Sequence, residues 1–410
     1  MIINDPVFGF IDIPDGLLSQ LVKHPIFTRL SRIAQLGPTN FVYPGAVHSR
    51  FQHSLGAFHL VSQALESLES KGVIILDTER EGVQIAMLLH DLGHGPMSHT
   101  LENVFVNGID HEEISLKLME RLNDEFDGKL NTAIRIFKNE TSKHFLHELI
   151  CSQVDMDRLD YLCRDSFFTG VREGNIGVAR IIKMLDTVND HLTIEEKGIY
   201  TIENYLMSRR LMYWQVYLHK TSLAAQEILN LTLQRARELV LQGQHLFTTP
   251  SLEYFLKNDV TPAFADKHPE WLDYFISLDD NDIFTSMKQW VKADDKILAM
   301  LSDCFINRRL FKAKELKEPI SDEKLSQMRT NMAKALNITK EDSEYFVRYK
   351  HIGQTLYSNV DEHISILLKN GNACDISDFS ELLSSNFTNR QSCRYYLFFY
   401  PSKEFSADNF

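Results

Sequence analysis

The chain has 410 residues, 44% of them hydrophobic and 24% charged, enough to bury a substantial core and to exclude global disorder. At about 150 residues per domain, this length predicts two to three domains or one large helical body with an appendage. Lys plus Arg number 43 against 56 for Asp plus Glu, a net charge of −13. That balance argues against nucleic-acid wrapping and an anionic membrane surface, but it leaves room for an anionic small ligand where basic residues converge beside a metal.

No apolar run approaches the ~18 residues that span a bilayer, and Met1-Ile-Ile-Asn-Asp-Pro lacks the basic and apolar regions of a signal peptide. The five cysteines, Cys151, Cys163, Cys304, Cys374 and Cys393, form no CxxC pair. They suit a reducing compartment, so the expectation is a cytoplasmic chain without a membrane partner.

In chain order, Met1 to Pro14 brings Val7, Phe8, Phe10, Ile11 and Ile13 close together and reads as a short β-hairpin in need of a partner surface. Residues 54–70 place Ala57, Leu60, Val61, Ala64, Leu65 and Leu68 on one helical stripe, with Gly72 as the stop. The next helix is expected to open with Thr78 and Glu81 in capping-box spacing and to end at Gly93, Gly95 and Pro96, its last turn carrying His90-Asp91. Helices follow over about 144–165 and 203–242, the second rich in aromatic and basic residues.

Beyond residue 250 come an acidic stretch, Leu278-Asp-Asp-Asn-Asp, a helix at about 283–306 and a Lys/Glu-rich segment at 312–324. Strand-like runs at Tyr345 to His351, Ile364 to Leu368 and Tyr395 to Tyr400 surround a short helix near 377–384. The fold class expected is mostly α, a helical bundle with an N-terminal hairpin and a small C-terminal α/β appendage. The expected boundaries are 1–245 for the catalytic helical domain, 246–340 for a helical extension and 341–410 for the α/β region.

Sixteen histidines matter less than their positions. His53 and His90 lie on the apolar stripes of their helices, so both imidazoles are expected to point inward. An adjacent His-Asp pair at a helix end offers a nitrogen and an oxygen to one cation. Asp157, Tyr161 and Asp165 fall on one helical face, flanked by Arg158, in a segment whose Val154, Leu159 and Leu162 imply burial. Buried carboxylates are costly unless they are paired or bound to a metal. Arg209, Tyr213 and Tyr217, at i, i+4 and i+8, present a guanidinium and two phenols together. His94, His99, Glu102 and His111 are the acid/base groups available nearby.

His53, His90-Asp91 and Asp157 reproduce the H…HD…D pattern of the HD-domain metal-dependent phosphohydrolases. The segments Asn4-Asp-Pro-Val-Phe-Gly, Gln35-Leu-Gly, Val42-Tyr-Pro-Gly-Ala-Val-His-Ser-Arg-Phe-Gln-His-Ser-Leu-Gly, His90-Asp-Leu-Gly-His-Gly-Pro-Met-Ser-His and Asp155-Met-Asp-Arg-Leu-Asp-Tyr-Leu-Cys-Arg-Asp are more specific. Together they resemble the deoxynucleoside-triphosphate triphosphohydrolase branch over residues 1 to about 240.

The resemblance implies an HD helical bundle and a divalent ion (Mg, Mn, Fe, Ni or Zn) at His53, His90, Asp91 and Asp157. It implies cleavage of a deoxynucleoside triphosphate to deoxynucleoside and inorganic triphosphate. By the same resemblance, His94, Glu102 and His111 form a catalytic cluster and His99 is the general acid. Arg50, Arg158 and Arg209, with the Tyr161 hydroxyl, would hold phosphate. Gln35 and Asp165 would hold the 3′-hydroxyl, Leu36 and Tyr217 would crowd the 2′ position, and Tyr213 is a further substrate-binding residue. The alternatives are another HD activity, a 5′-nucleotidase or phosphodiesterase, and a metal-bearing nucleotide sensor without turnover. The family's guanine-nucleotide activator set falls on Lys23, Thr28 and Ser31, which do not reproduce it. A homo-oligomer, dimer or tetramer, that forms without GTP is therefore expected.

Overall fold

A computed structural model of the chain describes residues 1–354, 363–380 and 392–402, apart from the side chains of His99, Glu102, Asn103, Gln354 and Ser392. The N-terminal hairpin pairs β1 (Ile2–Asp5) with β2 (Gly9–Asp12), antiparallel, with Ile3 opposite Ile11. Its partner surface is its own helical body. Ile11 and Ile13 are buried there, and Asp5 both accepts the Val7 and Phe8 amides and pairs with Arg164 at 2.8 Å.

The centre of the body is α1 (Arg50–Ser70), against which α2 (Asp77–Leu89) and α5 (Met156–Thr169) pack. Between these in sequence lie α3 (His111–Glu125) and α4 (Asn131–Phe137), and α4 covers α2. Every residue of the expected α1 stripe, Ala57 through Leu68, is buried. The Gln52 side chain caps the Ser49 amide at 2.9 Å, and Gly72, at φ +92°, ends the helix in a conformation that L side chains rarely adopt. The α2 start differs from expectation. The Glu79 carboxylate accepts the Leu76 amide at 2.9 Å, so the cap sits two residues upstream of Thr78 and Glu81.

Two helices expected to be continuous are broken. The 144–165 segment is a short His144–Glu148 turn followed by α5, because Asp155 accepts the amides of Ser152 and Arg158 and starts a new helix. The 203–242 segment is α6 (Ile199–Met212), a wide π turn over Tyr213–Tyr217, and α7 (Lys220–Leu241), which His219 caps through Nδ1. Likewise 283–306 divides into α8 (Asp280–Trp290) and α9 (Lys296–Ile306), and α9 packs on α7.

Two further sheets tie the C-terminal strands to the body. One has the order β3 (Leu185–Val188), β4 (His191–Glu195), β7 (Ser365–Leu367), β8 (Ala373–Asp375), with β4 and β7 parallel and Ile194 opposite Ile366. The other places β9 (Ser392–Phe399) between β5 (Lys312–Leu316) and β6 (Val347–Gln354), antiparallel on both sides. Strands β3, β4, β5 and β8 were absent from the sequence reading. They are three to five residues long, too short for alternation to register. Ile376–Asp378 form a 3₁₀ turn, and the helix expected near 377–384 runs into residues 381–391, which lie outside the described part.

Candidate active site

Three elements bring N and O donors to one point. His53 comes from α1, His90-Asp91 from the end of α2, and Asp157 from the first turn of α5. One ligand atom each of His53, His90 and Asp91 lies within 4.8 Å of the others. The Asp157 carboxylate is 2.9 Å from His53 Nε2 and 3.6 Å from His90 Nε2.

The protons of both imidazoles are fixed from behind. His90 Nδ1 faces the Met87 carbonyl oxygen at 2.6 Å and His53 Nδ1 faces Asp160 at 2.7 Å, so each Nδ1 donates and each Nε2 is left facing the carboxylates. His90 Nε2 is buried and has no hydrogen-bond partner among the described residues, which is costly unless a ligand takes its lone pair. A divalent cation fits this donor set, with outer hydrogen bonds of the kind that orient metal-binding histidines.

The electrostatics agree. Burial alone would lower the His53 pKa, but hydrogen bonds to Asp157 and Asp160 outweigh it and lift it to about 10. Burial would raise Asp91 and Asp157, yet Arg50, His90 and His94 hold the first below the usual carboxylate range, as His53 and His90 do the second. The carboxylates are thus ionised and demand positive charge, which imidazolium supplies when no cation does.

Behind the donors runs a buried chain that sequence reasoning left without a role. Arg164 makes two hydrogen bonds to Asp160, each at 2.9 Å, and reaches Asp5 of the hairpin. These groups pass so close to α1 that any Cβ at position 56 would collide with Asp160 and Arg164, and Gly56 stands there. Gly93 serves the same purpose, since a Cβ would strike the backbone of His111. Asp160 and Arg164 lay in the quoted motif, but their i, i+4 spacing also fits a surface ion pair, so only burial reveals the role.

The donors open into a cavity of about 670 Å³ lined by Gln35, Leu36, Arg50, His90, Asp91, His94, His111, Asp157, Arg158, Tyr161, Asp165, Tyr213 and Tyr217. At one side Arg50 donates to Asp91 at 2.6 Å and to Ser98 at 2.9 Å, and Arg158 donates to the Ser152 carbonyl and to Asp155. At the other, the Tyr217 hydroxyl donates to Asp165 at 2.7 Å. The π turn aims Tyr217 there while leaving Tyr213 alongside, their rings edge to face at 5.2 Å.

Arg209 is not among the lining residues. Its guanidinium donates to the Gln153 side chain at 2.8 Å and lies near the Tyr213 ring. His53 also sits behind the wall, 1% exposed. The His94 and His111 rings stack at 4.1 Å. The side chains of His99 and Glu102 lie outside the described residues.

One buried residue beyond the lining had no expected role. His48, buried, donates from Nε2 to Asp165 at 2.7 Å, while its carbonyl accepts the Gln35 amide at 3.0 Å. It therefore holds the Asp165 carboxylate and ties down the backbone of Gln35.

Comparison with known proteins agrees with this geometry. The HD domain family matches residues 50–165, and the HD associated region matches residues 176–249. The uncharacterized protein YwfO of Bacillus subtilis is 35% identical over 321 residues, covering 76% of this chain and 71% of that protein. The deoxynucleoside triphosphate triphosphohydrolase SAMHD1 homolog of Dictyostelium discoideum is 31% identical over 239 residues, 53% of this chain and 46% of that one. A solved phosphohydrolase of Bacteroides thetaiotaomicron superposes with a TM-score of 0.94 at 53% identity, covering 97% of this chain and 99% of its own.

Proposed function

Because the chain belongs to the HD-domain phosphohydrolases, an enzyme family that binds divalent metal, we propose that its cavity hydrolyses deoxynucleoside triphosphates to deoxynucleoside and inorganic triphosphate. The observation that carries this reading is the cavity's polarity. Arg50 holds the candidate donor Asp91, Arg158 follows Asp157, and the Asp165–Tyr217 pair and Gln35 line the same cavity. A triphosphate linked to a sugar offers partners for both sets, anionic phosphates for the cations and hydroxyls for the carboxylate, amide and phenol. The likeness to the triphosphohydrolases of Dictyostelium and of Gallus gallus, 29% identical over 279 residues, supports the substrate class.

His53, His90, Asp91 and Asp157 would hold the ion. When bound, it supplies the Lewis acidity that activates water at neutral pH and neutralises phosphate charge. Arg50 and Arg158 orient the phosphates and offset the repulsion of the chain's net negative field. Asp165, held by His48, and Gln35 orient the 3′-hydroxyl, and Tyr217 and Leu36 exclude a 2′-hydroxyl. His94 and His111, stacked beside the donors, move a proton with Glu102, and His99 delivers it to the departing 5′-oxygen. The reaction is proposed to run in the cytoplasm, where free thiols persist, within a homo-oligomer.

Purified protein with Mn²⁺ or Mg²⁺ and each dNTP in turn, products resolved by chromatography, tests the reading. Deoxynucleoside plus triphosphate is expected. Release of phosphate or diphosphate would assign the alternative HD chemistries, and absence of turnover with metal bound would favour a sensor. NTPs are expected to be far poorer substrates, with Tyr217→Ala narrowing the gap. Equal turnover of GTP and dGTP by the parent would remove the steric gate.

A further inference from the structure

The acidic run after Leu278 lies outside both matched family regions, yet it reaches the active site. Asp279 caps α8 by accepting the Asn281 amide, and Asp282 accepts the Asp279 amide at 2.7 Å. Asp280 does something different. It is 9% exposed, and its two carboxylate oxygens accept amides from two separate segments, Met97 at 2.7 Å and Ala34 at 2.8 Å.

Each segment carries cavity residues. Ala34 precedes Gln35 and Leu36, and Met97 lies between His94 and His99. Met97 and Ser98 both sit at positive φ, 56° and 52°, a backbone state that L side chains hold only when their surroundings impose it. The turn is tied on by a second route. The Ser98 hydroxyl donates to the Ala34 carbonyl at 2.6 Å and accepts from Arg50, whose other arm holds Asp91.

We propose that Asp280 is a positioning residue of the active site, its carboxylate clamping the strained Met97–Ser98 turn to the Ala34–Gln35 segment and so fixing Arg50 and the imidazole-bearing loop. The inference rests on the hydrolase reading above but names no substrate. It makes the helical extension part of the catalytic apparatus, because without Asp280 two buried amides would lose their acceptors together. No second protein group is needed for the clamp, since one carboxylate supplies an oxygen to each segment and an amide supplies only one.

Asp280→Asn keeps size and shape but replaces one acceptor by a donor, and Asp280→Ala removes both. Amide hydrogen exchange at Ala34 and Met97, bound manganese per chain, and kcat and KM are to be measured on the parent and both variants, with a dNTP and with bis-4-nitrophenyl phosphate as a generic probe. The expected result is faster exchange at both amides, unchanged manganese, and kcat lower by about 10- to 100-fold with KM within about threefold, Asn losing less than Ala. Asp282→Asn, in the same run, should match the parent.

Unchanged exchange in Asp280→Asn, or faster exchange with unchanged kcat on the probe, would overturn the proposal. Loss of manganese would also overturn it, since the effect would then pass through the metal site. If Asp280→Ala does not fold, Asp280→Asn decides alone. If the parent cleaves the probe but no dNTP, the substrate reading fails and the clamp is still judged on the probe and on exchange.

Discussion

At the scale of single residues, the proposed metal centre depends on what stands behind its candidate donors. Asp157 approaches both imidazoles directly, whereas Asp160 acts by holding the His53 proton. Asp157→Ala is expected to abolish both bound metal and turnover, read by metal analysis and product assay. Asp160→Asn should weaken metal binding by about 10- to 100-fold without abolishing it. Full occupancy in Asp157→Ala would take that residue out of the ligand set.

Asp280 yields a prediction about pH. Burial raises its pKa to about 6, against the two amides that it accepts. With the folded value above the unfolded one, near 3.9, native stability is greatest while the group is protonated and declines as the pH rises through 6. Asp280→Asn cannot ionise and escapes that decline. Its unfolding free energy relative to the parent should therefore shift in its favour between pH 4 and 7, by on the order of 2–3 kcal/mol. A difference that stays flat over that range, measured by urea titration, would show that Asp280 is not held ionised against burial.

Among the elements, the places where helices stop matter as much as where they run. The break before α5 puts Asp155 at an N-cap and Asp157 in the first turn, aimed at the imidazoles. The π turn after α6 separates Arg209, which faces Gln153, from Tyr217, which reaches Asp165. A regular helix would have kept Arg209, Tyr213 and Tyr217 on one stripe, as their spacing predicts.

A second cap joins α7 to α9. Asp295 accepts the Leu298 amide at 2.7 Å and pairs with Arg235 at 2.6 Å. Burial would raise its pKa, but Arg235 and the cap amides lower it. Its contribution is therefore present above the unfolded carboxylate value and is lost as the pH falls through the depressed folded value. Asp295→Ala should cost about 1–2 kcal/mol at pH 7. The difference should shrink as the pH drops below about 3.9, and thermal melts across that range would show it. A cost that persists unchanged in acid would assign the effect to packing.

The whole molecule wraps one buried apolar cluster that runs from Ile11 of the hairpin to Phe399 of β9. The hairpin's inner side belongs to that cluster, while Ile2 and Phe10 are 67% and 70% exposed on its outer side. Lys23 and Ser31 are exposed, Thr28 is half-buried, and the Ser31 hydroxyl is turned back onto the Thr28 carbonyl. The expected behaviour is a homo-oligomer in nucleotide-free buffer whose mass, by light scattering, GTP leaves unchanged. A monomer that assembles only with GTP would show that those three positions read a nucleotide after all.

Local chemistry carried much of this protein in its sequence. The apolar stripe of α1 and the Gly72 stop are properties of adjacent residues, and so are the hairpin pattern and the inward His53 and His90. Each of these could be read without knowing the fold, and so could the His53, His90 and Asp91 group that could hold a metal, through motifs short enough to be local. What the sequence left open depends on contacts between distant segments. The His48 bridge to Asp165, the Arg164–Asp5 link of the Asp160 chain and the Asp280 clamp on Ala34 join residues 117, 159 and 246 positions apart. A carboxylate on a helix reads the same whether it faces water or two buried amides. Only burial, which folding imposes, makes an unpaired charge costly and so turns such a residue into part of the site.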